Sequence, residues 1–231
     1  MQIHGFNKTT LLDYPKHLAS TVFLGSCNFR CPFCHNASLV TNPASVPLIP
    51  TEDVLSYLKK RKGILEGVCI TGGEPTLYSE LPDFIKELKN LGYLVKLDTN
   101  GTNPDMLKAL VRNQLIDYIA MDIKNCKEKY RLTSGVRDFP VERVYESVSY
   151  LLSSPVEYEF RTTLVREFHS EEDILSIGEW LQGAKAYYLQ SFQDSGDIIS
   201  EGLHSHTKET LLHFVKLLNP YIENVTLRGV D

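Results

Sequence analysis

Cys27, Cys31 and Cys34 stand in one ten-residue stretch, Cys-Asn-Phe-Arg-Cys-Pro-Phe-Cys-His-Asn, with three residues between the first two and two between the last two. Thiolates set this close are soft metal ligands. Iron–sulfur clusters are usually closed by four thiolates, so a three-cysteine loop leaves one iron open to a reacting molecule. Two other readings fit the same residues: a dithiol redox pair of Cys31 with Cys34, or a structural zinc held by the three cysteines and His35. Cys69 lies inside an apolar run and Cys126 is isolated, which marks both as packing thiols. His204-x-His206 precedes a helical pattern and reads as surface.

The elements that must position these thiols follow from periodicity. An apolar run, Thr21-Val-Phe-Leu24, leads directly into the cysteine stretch and reads as a strand. Before it, residues 1–19 read as an irregular approach with a turn at Leu11-Leu-Asp-Tyr-Pro15, and residues 37–50, with three prolines, read as a connector. A helix then starts with Thr51 as N-cap, Glu52 and Asp53 in its first turn, and Val54, Leu55 and Leu58 on one face. A short strand at residues 67–71 runs into Gly72-Gly-Glu-Pro-Thr76. The next helix has Ser79 as cap, a stripe of Leu81, Phe84, Ile85, Leu88 and Leu91, and Gly92 as its end.

Alternation continues: a strand at 93–97 ending in Asp98-Thr-Asn-Gly101, a helix opened by Asn103 and Pro104, and a strand at 116–123 with Lys124 past its tip. Helix–strand pairs follow near 140–153 and 157–165, then near 171–182 and 186–192, and a last helix near 207–218 precedes a short strand at 224–228. Strands separated by helices pair in parallel through right-handed crossovers. The expectation is one α/β domain: a β/α core over residues 20–200, then a C-terminal helix and short strand over 201–231. Function in such sheets gathers at the carboxyl ends of the strands. The cysteine loop, Gly72-Gly-Glu-Pro75, Asp98-Thr-Asn-Gly101 and the pair Asp122 and Lys124 all fall there.

Composition narrows the function further. The 231 residues are 42% hydrophobic and 23% charged, an ordinary globular balance. A formal net charge of −5 argues against a broad nucleic-acid surface. No run approaches the roughly 20 apolar residues that span a bilayer, and the N-terminus has no charged segment leading into an apolar one, so the expectation is a cytoplasmic protein. Five cysteines, three of them clustered, suit a reducing compartment and metal ligation.

The three-cysteine spacing followed by Gly72-Gly-Glu-Pro75 resembles the radical S-adenosylmethionine (SAM) superfamily. The order Ile3-His-Gly-Phe, Leu12-Asp-Tyr-Pro, Cys34-His-Asn, Gly72-Gly-Glu-Pro-Thr, Asp98-Thr-Asn-Gly and Met121-Asp-Ile-Lys is similar to glycyl-radical-enzyme activases, in particular the activating proteins of anaerobic ribonucleoside-triphosphate reductase. The resemblance implies a partial (β/α)6 barrel with parallel strands. It also implies one [4Fe-4S] cluster on Cys27, Cys31 and Cys34, with SAM on the fourth iron and a flavodoxin or ferredoxin as electron donor. A deoxyadenosyl radical would then take hydrogen from a glycine of the partner enzyme.

By the same resemblance Gly72, Gly73, Glu74 and Pro75 receive the methionyl amine, Phe33 and Asn36 lie by the cofactor, and Lys124 and Arg161 neutralise the methionyl carboxylate. Asp98, Thr99, the Ala120 carbonyl and Asp122 correspond to a sodium or potassium site. Asp98 and Asp122 read equally as local caps, and Arg161 as an ordinary ion-pair partner. The chain departs from the activase pattern at Lys16, where glycine is common, and at Gln190, where some activases carry a strand histidine. A radical SAM enzyme acting on a small molecule, like the deazaguanine synthases, is the second reading.

Overall fold

The computed structural model describes residues 1–230. They form two compact units, one made of residues 1–28 and 38–120, the other of residues 29–37 and 121 onward. Within each unit the strands lie side by side in chain order.

In the first unit, β1 (Ile3–Thr10) pairs antiparallel with β2 (Ala19–Leu24), which pairs in parallel with β3 (Gly67–Gly72), and β3 pairs in parallel with β4 (Leu94–Thr99). The opening segment, expected to be irregular, is thus a strand over Ile3–Thr10. It lacks period-2 alternation because its register shifts between Ile3 and Gly5 and again between Asn7 and Thr10, leaving Asn7, Lys8 and Thr9 exposed. The expected connector holds a five-residue helix, α1 (Ala37–Thr41), and a 3-10 turn at Pro43–Ser45.

Three amphipathic helices complete this unit: α2 (Thr51–Arg61), α3 (Leu81–Asn90) and α4 (Pro104–Arg112). The stripe of α3 buries Leu81, Phe84, Ile85 and Leu88, each contributing about 1.5–3 kcal/mol by leaving water. Thr51 is the first helical residue of α2 rather than its cap, and Ser79 bonds Glu80 rather than capping α3. Both helices start without a side-chain cap. Asn103 does cap α4, accepting from the Met106 amide at 3.3 Å.

Strand β5 (Tyr118–Asp122) runs across the boundary between the units. The second unit then carries α5 (Tyr130–Ser134), α6 (Glu142–Leu152), β6 (Glu157–Leu164), α7 (Glu171–Trp180), β7 (Tyr187–Ser191), α8 (Lys208–Leu218) and β8 (Val225–Arg228). Strands β6, β7 and β8 pair in parallel. The core of this unit is built from Val144, Val148, Phe160, Ile174, Ile177, Leu189 and Phe214. Among the described residues no helix is long and apolar enough to cross a membrane.

Candidate active site

Of the residues singled out above, Cys27, Gly72 to Pro75, Asp98, Thr99 and Ala120 belong to the first unit; Cys31, Phe33, Cys34, Asn36, Asp122, Lys124 and Arg161 belong to the second. In the first unit the strand tips are drawn together by Glu74. Its carboxylate, fully buried, accepts from the Thr76 amide at 3.0 Å, the Thr76 hydroxyl at 2.5 Å, the Thr99 hydroxyl at 2.8 Å and the Asn100 amide at 2.6 Å. Desolvation pushes the pKa of Glu74 up, and these four donors pull it back. Glu74 therefore ties the tip of β3 to the tip of β4 and carries no cation among those four partners.

The two glycines before it have a packing reason. A Cβ on Gly72 would collide with the Leu24 backbone and one on Gly73 with the Ser26 carbonyl oxygen, because the tip of β3 lies flush against the end of β2. Gly72 also has φ +114°, which L side chains rarely adopt. The Gly73 amide donates to Leu24 O at 2.8 Å and the Glu74 amide to Ser26 O at 2.9 Å. From the tip of β4, Asn100 reaches back: its Nδ2 donates to Asn28 Oδ1 at 2.9 Å and lies 3.7 Å from Cys27 Sγ. Asp98 is ion-paired with Lys96, which is buried two residues earlier on β4.

In the second unit the cysteine loop is seated on the end of α5. The Arg30 amide donates to Ser134 O at 2.8 Å, Cys31 Sγ lies 3.9 Å from that same oxygen, and Gly135, at φ +71°, leaves room for the Arg30 carbonyl. The Cys34 amide donates to Cys31 O at 3.0 Å, closing a turn between the two thiols. Burial raises the pKa of Cys34, while the Asn36 amide and the Lys124 ammonium lower it. Phe33 is buried against Phe168 and His169. Residues after β7 cover the loop: His35 Nε2 pairs with Gln193 O at 2.8 Å, and the Ser200 amide donates to Pro32 O at 2.9 Å.

Asp122 gathers both of the expected carboxylate-binding cations. Lys124 Nζ donates to its Oδ2 at 3.0 Å and Arg161 Nε to its Oδ1 at 3.0 Å. Burial lowers the pKa of Lys124, but the neighbouring Asp122 and Cys31 raise it above the ordinary lysine value, so it stays charged. Behind them His169, almost fully buried, holds the Lys124 carbonyl through Nε2 at 2.9 Å, and burial keeps its pKa below the usual imidazole value. Cys126 is buried beside Asp173, with its thiol pKa raised to about 11, chiefly by desolvation.

Sequence reasoning passed over Asn100, Lys96 and His169. Asn100 carried a signal, since Asn-Gly just past a strand end places a polar side chain at the tip; Lys96 and His169 carried none.

The radical SAM superfamily model matches residues 21–181. A Methanocaldococcus jannaschii protein, provisionally named a glycyl-radical enzyme activating enzyme, is 29% identical over 236 residues, covering 99% of this chain and 96% of its own length. Streptococcus suis SuiB bound to precursor peptide SuiA is similar in structure, with TM-score 0.71 and 15% identity over 91% of this chain; the match spans 48% of SuiB. A domain of pyruvate-formate lyase-activating enzyme from Bacteroides vulgatus matches over 71% of this chain and 99% of its own, with TM-score 0.59 and 19% identity. These likenesses show the fold, of the partial-barrel kind expected from the sequence. With the family model spanning well over half its length, the chain belongs to the radical SAM superfamily and is a radical SAM enzyme.

Proposed function

We propose that this protein is an activase that removes a hydrogen atom from a backbone glycine of a partner enzyme, anaerobic ribonucleoside-triphosphate reductase being the partner its motifs favour. The observation that carries the reading is the end-to-end likeness to the Methanocaldococcus jannaschii protein, 29% identical over 99% of this chain and 96% of its own length. The absence of any further cysteine between Cys34 and Cys69 supports a single-cluster form.

The superfamily implies a [4Fe-4S] cluster and SAM, and the donor set fits them. Three thiols are the right ligands for three irons, the Asn100 amide near Cys27 supplies a hydrogen bond toward sulfur, and the Lys124 ammonium offsets thiolate charge at Cys31 and Cys34. Cys27, Cys31 and Cys34 would hold the cluster. When bound, this pair supplies one-electron cleavage of the sulfonium–C5′ bond and a carbon-centred oxidant for an unactivated C–H bond. The carbonyls of Gly72 and Gly73 would receive the methionyl amine, on a tip that Glu74 holds in shape. Arg161 and Lys124, presented by Asp122, would face the methionyl carboxylate, and Phe33 and Asn36 would pack beside the cofactor.

The test is electron paramagnetic resonance. The reduced, reconstituted protein is incubated anaerobically with SAM and purified anaerobic ribonucleoside-triphosphate reductase, with a flavodoxin or ferredoxin as electron donor. A glycyl doublet on the partner is the expected result. Robust deoxyadenosine formation with no doublet overturns the activase reading and leaves the small-molecule one.

A further inference from the structure

Asp98, Thr99, Ala120 and Asp122 supply the oxygens that the family resemblance assigns to a sodium or potassium ion. In the structure those carboxylates already have cations. Lys96 stands two residues before Asp98 on β4 and so points to the same side of the strand. It is 2% exposed, its Nζ is ion-paired with Asp98 Oδ1, and it lies 3.7 Å from Cys69 Sγ. Cys69 Sγ in turn lies 3.7 Å from Asp98 Oδ1, so lysine, carboxylate and thiol form one buried triangle. A lysine is almost never buried this fully without a partner, and Asp98 is that partner. Within the second unit Asp122 is held by Arg161 and Lys124, each at 3.0 Å. The Thr99 hydroxyl donates to Glu74 and accepts from the Gly101 amide at 3.1 Å.

The donor set therefore does not fit a metal cation. We infer that Lys96 is this chain's own cation at the tip of β4: a tethered ammonium standing where the family resemblance places a sodium or potassium ion. A metal ion bound to Asp98 would sit beside a fixed positive charge in a poorly solvated place, where repulsion is weakly screened. Breaking the lysine–carboxylate pair to admit one would leave a buried charge uncompensated. A covalently held cation cannot dissociate, so the charge balance at this tip does not follow the cell's monovalent-ion concentration. The inference concerns the strand tip alone and is independent of the partner enzyme.

Two readouts on the full-length reconstituted protein test it, neither of them activity. Thallium-205 resonance broadening reports binding of a potassium-like ion, and thermal midpoints are compared in potassium chloride and choline chloride at equal ionic strength. The wild-type protein is expected to show no saturable broadening and midpoints that agree within about 1 °C, since an ion that does not bind the native state cannot stabilise it. Lys96→Met is expected to open the site, giving saturable broadening and a potassium-dependent rise of roughly 2–4 °C. Adding Asp98→Asn to that variant is expected to remove both. Saturable thallium binding to the wild type that Asp98→Asn abolishes overturns the inference, as does a folded Lys96→Met with no cation response. The wild-type titration and its Asp98→Asn control do not depend on Lys96→Met, so a Lys96→Met chain that fails to fold leaves the test decisive.

Discussion

Glu74 and Asp122 are both strand-tip carboxylates, yet the two units hold them in opposite ways. Glu74 is fully buried and receives four neutral donors from Thr76, Thr99 and Asn100. Asp122 keeps 30% of its side chain exposed and receives two cations, Arg161 and Lys124. Neutral donors fix direction, and they suit a carboxylate whose task is to set the shape of a tip. Cations fix charge, and they suit a carboxylate that presents positive groups toward something anionic. The thiols follow the same division: an amide stands near Cys27, and an ammonium biases Cys31 and Cys34.

The largest effect should ignore that division. Replacing any one of Cys27, Cys31 or Cys34 with alanine should abolish SAM cleavage, read as deoxyadenosine formed per iron bound, whereas Cys126→Ala should retain it. Full cleavage by Cys31→Ala would break the assignment of the three thiols as one ligand set.

The carboxylates themselves should then separate. Glu74→Gln turns an acceptor-only group toward four donors into one that brings hydrogens of its own, and it should cost about 2 kcal/mol in urea unfolding. The wild type should also show a pH signature that the variant lacks. Because burial raises the Glu74 pKa in the folded state, the folded protein binds the extra proton more tightly. Relative to Glu74→Gln, wild-type stability should therefore be greatest below the ordinary glutamate range and fall as pH rises through the folded value. A difference profile that rises with pH would show that the donors outweigh desolvation. Asp122→Asn should cost least, at most about 1 kcal/mol, since its ion pairs are partly solvated. It should nonetheless bring the Lys124 pKa back down, measurable by lysine side-chain NMR titration.

Much of this arrangement was legible in the chain. The stripe Leu81, Phe84, Ile85 and Leu88 and the Asn103–Pro104 start gave α3 and α4 because local periodicity and capping decided them. Strand β1 was not legible, since bulges destroy alternation and its partner is fixed only by pairing. The caps of α2 and α3 failed for a related reason: tertiary burial of their stripes holds these helices without a side-chain cap. The cysteine spacing and Gly72-Gly-Glu-Pro75 pointed to the chemistry, but not to the job of Glu74, whose donors come from residues 76, 99 and 100. Lys96 was hidden for the plainest reason: in a strand covered on both faces, every other position points inward, and nothing local says that a lysine there has met its aspartate.

Gly135 ties the position of one thiol to a distant part of the chain. The loop bearing Cys31 is propped on a helix end about a hundred residues downstream, with a contour that only a residue lacking a side chain allows. A side chain added at residue 135 would push on the Arg30 carbonyl, and the displacement would reach the Cys31 sulfur next to it. Any insertion or deletion between residues 124 and 134 would be felt first at a sulfur far away in sequence.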